Sequence, residues 1–121
     1  MASTNPSQNP TIAALYKSLC DQQDALTTAL QNCTDPNVTD AISTENAEVM
    51  HRIVLTQNLL FQSDSTALQQ SVKAVTDASA SLQTAIGKIQ KATDVINAVS
   101  GYLTLVDKAV DLAKTLAPLA A

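Results

Sequence analysis

The chain has no tryptophan, one phenylalanine and two tyrosines in 121 residues. So few aromatics exclude a base-stacking platform for single-stranded nucleic acid. They also mean that any core is built from Leu, Ile, Val and Ala. Glycine occurs twice and proline four times, at positions 6, 10, 36 and 118, so residues 37–86 contain neither. A β-rich chain needs turn residues about every 8–12 positions, so this chain is all-α. One histidine, His51, excludes any site that needs two within a single chain. The two glycines stand alone and make no phosphate-cradling loop. Eleven acids oppose seven bases, for a net charge of −4. They are spread singly, without the basic patch that nucleic-acid binding requires.

Long apolar runs are also missing. The first ten residues, MASTNPSQNP, have neither the positive start nor the apolar stretch of a signal peptide. They are expected to form a short disordered tail over residues 1–9, followed by one helical domain over 10–121. No window reaches the ~20 apolar residues that a membrane-spanning helix needs. A soluble cytoplasmic protein is the default expectation, with leaderless secretion as the other route. Cys20 and Cys33 have no metal-site spacing. On one helix they would be roughly 20 Å apart, too far for a disulfide. They are expected to behave as small, buried or half-buried apolar residues.

What the chain does have is periodicity. From residue 64 to 117 there is no proline, and every seventh position is apolar: Leu68, Val75, Leu82, Ile89, Ile96, Leu103, Val110, Ala117. Seven residues return to nearly the same side of an α-helix, so these positions make one stripe. Val72 and Ile86 follow a stripe member by four residues, whereas Val99, Val106 and Ala113 follow by three. The seam therefore rotates near Ser100 and Gly101. A continuous helix of that length would extend ~80 Å, and its stripe could not stay in water. Either the chain turns back, at Gly87 or near Gly101, or the second half packs on another chain. The expected break is near Gly101, with Tyr102 as the apolar contact beyond a C-terminal glycine.

Asn9-Pro10 and Asp35-Pro36 both read as an N-cap followed by proline at the first helical position. They predict one helix over 10–32, carrying Ile12, Leu15, Leu19, Leu26 and Leu30. A second is predicted over 36–62, carrying Val38, Ile42, Val49, Ile53, Leu59 and Leu60. Ser63-Asp64 is the next predicted cap. The sum is an antiparallel bundle of three to four helices, coiled-coil-like along its C-terminal stretch.

Chemistry is sparsely represented. Glu48-Val49-Met50-His51 matches the Glu-x-x-His half-motif of di-iron carboxylate bundles, which need two such pairs and two more carboxylates. Glu45 is the only other glutamate, so a metal-dependent bundle oxidase would have to assemble its site from two chains. No serine or threonine has the base and orienting group that nucleophilic catalysis requires. The expectation is no enzyme, no cofactor and no metal. Instead, the chain reads as a helical interaction module. It would associate with itself as a homo-oligomer, or with another helical protein, along Leu68, Val75, Leu82, Ile89, Ile96, Leu103 and Val110. The alternative centres on residues 95–106, which carry no charge. There Ile96, Val99, Tyr102, Leu103 and Val106 would form a membrane-active segment, too short to span but able to enter the interface.

Overall fold

The computed structural model describes residues 8–88 and 91–118. Among them are four α-helices: α1 Pro10–Asn32, α2 Pro36–Gln57, α3 Thr66–Ile86 and α4 Ala92–Lys114. At 1.5 Å per residue they are about 32–35 Å long. The first two begin as their sequences predict. The Asn9 side chain accepts from the amides of Thr11 (2.9 Å) and Ile12 (3.3 Å), and that of Asp35 accepts from Asn37 (2.9 Å). In both helices proline takes the first turn, where its missing N–H leaves no bond unmade.

Helix α1 packs against α2 and α3, and α4 packs against the same two. The pairs α1/α4 and α2/α3 are therefore the diagonals of a four-helix bundle. Short connections over 33–35 and 87–91 join adjacent helices, while residues 58–65 cross a diagonal. The interior is one aliphatic cluster. It includes Ile12, Leu15, Leu19 and Leu26 from α1, Val38, Ile42 and Val49 from α2, Leu68, Val75 and Leu82 from α3, and Val95, Val99 and Val106 from α4. A polar set interrupts it midway: Gln22 donates to Ser79, and Ser18 shares a 2.7 Å bond with Tyr102 across the α1/α4 diagonal. Both cysteines are half-buried and free.

The long stretch turns back at Gly87, and α4 runs unbroken through Ser100 and Gly101. This corrects the expected break near Gly101. Both residues face outward, and a Cβ on Gly101 would meet nothing within 4 Å. A mid-helix glycine costs only ~1 kcal/mol, which burial of Tyr102 and Leu103 outweighs. Gly87 itself has φ −68° and ψ −12°, an ordinary right-handed turn. Two boundaries also move. Helix α2 ends at Gln57, and Leu59 and Leu60 lie half-buried in the crossover. The cap of α3 is Ser65, which accepts from the amide of Leu68 at 3.0 Å, rather than Ser63 or Asp64. Asp64 is drawn instead to α1, where the Thr11 hydroxyl donates to it at 2.6 Å. Residues 1–7 of the expected tail lie outside the described residues, but Asn9 is buried and belongs to the fold.

The two ends of the bundle differ. At the crossover end, Asn9 donates from its backbone to Leu60 (2.8 Å) and from its side chain to the carbonyl of Gln62 (3.1 Å). Gln62 in turn reaches the carbonyl of Leu116 at 2.6 Å, and the Ser63 amide that of Ala117 at 2.6 Å. At the opposite, open end, backbone bonds among the described residues stay local, such as Lys88 to Ala85 at 3.0 Å. Helix α4 starts there without a side-chain cap.

Candidate functional site

The stripe residues face the chain's own helices. Leu68, Val75, Leu82, Leu103 and Val110 are all buried in the core. Ile89 lies outside the described residues. Ile96 departs from the pattern and is 47% exposed. The turn after Gly87 resets the register, so the core line of α4 is Val95, Val99, Tyr102, Val106, Ala109 and Ala113, with steps of four and three. Leu103 and Val110 flank that line and are covered, whereas Ile96, in the second turn, projects outward. Residues 95–106 thus supply one side of the bundle interior through Val99, Tyr102, Leu103 and Val106. Among the described residues, no helix is long and apolar enough to cross a membrane.

The Glu-x-x-His pair does not converge on a site. Arg52 is committed on two sides: its Nη1 donates to Glu48, while Nε and Nη2 grip Asp107 of α4 at 3.0 and 3.1 Å. That two-pronged geometry is the strong form of an arginine–carboxylate contact, and it ties α2 to α4. The Glu48 carboxylate is thereby occupied, and His51 is exposed. Among the described residues, no three His, Cys, Asp or Glu side chains come together to hold a metal ion. Glu45 lies half-buried a turn before Glu48. Burial raises its pKa first and the Glu48 charge adds to this, against a smaller lowering by Arg52. Tyr102 is pushed up to about 12, chiefly by burial, against the lowering effect of the Ser18 hydrogen bond. Its phenol is a neutral structural group.

Sequence reasoning missed the outward side of α2. Met50 and Val54, one turn apart, are 48% and 55% exposed, and Phe61 in the following turn is 47% exposed. The signal was present in the sequence: Met50 and Val54 fall off the Val38–Ile42–Val49–Ile53 line and are four residues apart, hence on a shared face. Nearby, the Tyr16 hydroxyl of α1 accepts from Gln57 at the end of α2 at 3.2 Å. This face carries exposed apolar side chains, with His51 exposed beside them.

No protein-family model, curated protein or solved structure matches the chain.

Proposed function

We propose that the protein is a non-catalytic helical module that works by self-association. In this reading a second copy packs on the outward face of α2 in a coiled-coil-like contact. The observation that carries it is the exposure of Met50, Val54 and Phe61. Met50 and Val54, four residues apart on α2, share one face, and large apolar side chains exposed together are a feature of contact surfaces, whereas isolated ones are ordinary. Leu68, Val75, Leu82, Leu103 and Val110 of the stripe that periodicity offers as the interface are spent on the intramolecular core, so the proposal keeps the functional class and moves the surface. A two-fold arrangement suits it, because one face then meets its own copy. Ala47, exposed one turn before Met50, continues the face with a small side chain. His51 and Asn58, both exposed beside Met50 and Val54, would form the polar rim.

Sedimentation equilibrium tests this directly. The wild type is expected to dimerise with a dissociation constant of about micromolar order. The double variant Met50→Glu, Val54→Glu is expected to be monomeric with an unchanged circular dichroism spectrum. A wild type that stays monomeric at high concentration, or a variant that dimerises equally well, defeats the proposal. Release of trapped dye from liposomes by the wild type between pH 5 and 8 would replace it with the membrane reading.

A further inference from the structure

The open end of the bundle contains a cleft of about 470 Å³, lined by the end of α1, the start of α2 and the end of α3. Its origin is legible along α1. Core positions there run Ile12, Leu15, Leu19, Gln22, Leu26 in steps of three and four, and the same steps continue to Ala29 and Cys33. Along this line the rest of the helix inserts longer side chains, whereas Ala29 and the C-cap Cys33 are small. Ala25 and Gly87 add no bulk at the margins, and both line the space. Val38, Ile42 and Ile86, all buried, form an apolar floor.

Two properties define what fits. The volume falls in the range of small-molecule sites. Among the described residues, none of the ten that line it is charged, so an ion entering would shed water without gaining a counter-charge from them. The polar groups at the rim are amides, a hydroxyl and a thiol: Asn32, Gln83, Thr28 and Cys33. The Thr28 hydroxyl donates to the Asp24 carbonyl at 3.0 Å, whereas the Asn32 and Gln83 side chains make no hydrogen bond to the other described residues and are left to meet a ligand. We infer that this cleft is a binding site for a small, uncharged, mainly apolar molecule with one or two hydrogen-bonding groups. The inference is independent of the α2 face.

Two dyes that differ mainly by a sulfonate group test both shape and charge. N-phenyl-1-naphthylamine, neutral, is expected to bind saturably at one per chain, and 8-anilinonaphthalene-1-sulfonate at least about tenfold more weakly. Ala29→Phe, which fills the space, is expected to weaken binding of the neutral dye by about tenfold or more, while Met50→Glu, Val54→Glu leaves it unchanged. A tenfold change corresponds to about 1.4 kcal/mol. In a Cys20→Ser background, the neutral dye is also expected to slow alkylation of Cys33 by iodoacetamide. That measurement needs no filled variant and stands if Ala29→Phe fails to fold. Non-saturable binding, equal affinity for both dyes, or Cys33 alkylation at the same rate with and without dye would overturn the inference. So would undiminished binding in a folded Ala29→Phe protein, or loss of binding in the α2 double variant.

Discussion

The crossover end and the open end of this bundle are made from the same four helices but are closed by different means. At the crossover end, residues 58–65 run diagonally beneath the helices and hydrogen-bond to both chain-terminal segments, through Asn9 and Thr11 on one side and Leu116 and Ala117 on the other. At the open end α1 is joined to its neighbour α2 and α3 to its neighbour α4, and a cleft lies beside Ala29 and Cys33. A diagonal connection has to cover the core and satisfy its own backbone groups there, whereas a connection between neighbours can pass at the rim. Topology therefore concentrates the hydrogen bonds that link distant segments at one end, and the cleft lies at the other.

Core truncation gives the largest expected effect. Leu68 is fully buried near the crossover end, while Ile86 borders the cleft. Leu68→Ala is expected to cost ~4–5 kcal/mol and Ile86→Ala nearer ~2, because a side chain beside open space loses fewer contacts. Denaturant unfolding of both variants measures the gap. A cost at Ile86 equal to or above that at Leu68 would mean that the open end is packed as tightly as the other.

Hydrogen-bond removal comes next. Gln62→Ala leaves the Leu116 carbonyl without its side-chain donor and is expected to destabilise by ~1–2 kcal/mol. Hydrogen exchange should rise in the last turn of α4. At the open end Gln83→Ala, an exposed position, is expected to change stability by less than ~0.5 kcal/mol. Matching effects of the two substitutions would erase the distinction.

The smallest effects are in the pH response, where two carboxylates act in opposite directions. Burial alone would raise the pKa of Asp64, but hydrogen bonds from Thr11, Gln69 and the Ser65 amide together hold it below the usual range. Its stabilising contribution is present above the unfolded-state value and is lost as pH falls through the lowered folded value. Acid should therefore loosen the crossover end, and Asp64→Asn should flatten that part of the profile. Glu45 is raised by burial and by Glu48, so its contribution is complete below the unfolded-state value and is lost as pH rises through the folded one. Glu45→Gln should therefore raise Tm at pH 7 and leave it unchanged near pH 4. Both carboxylates are solvent-screened, so each effect should stay below about 1 kcal/mol. A lower Tm for Glu45→Gln at pH 7 would show that the charge at this position is stabilising.

Helix content, the starts of α1 and α2 and most of the core could be read from the sequence, because they depend on local chemistry. A proline after Asn9 or Asp35 fixes a helix start whatever surrounds it, and a seven-residue repeat fixes which side is apolar. The turn at Gly87 was a weaker signal. Gly87 and Gly101 are equivalent as isolated residues, and only the need for α4 to lie along both α2 and α3 places the break at the first. The same packing turned Ile96 outward and ended α2 at Gln57, so that Leu59 and Leu60 could cover the diagonal crossing. The sequence carried a partial signal for each candidate site, but could place neither. Met50 and Val54 become a surface only once Val49 and Ile53 have claimed the core side of α2, and small residues at Ala29 and Cys33 become a cleft only where three helix ends meet. The sequence by itself determined what each helix is and which side it buries. Which buried sides meet, and what they leave uncovered, was decided by the tertiary structure, because a repeat specifies a direction around one helix axis and says nothing of its neighbour.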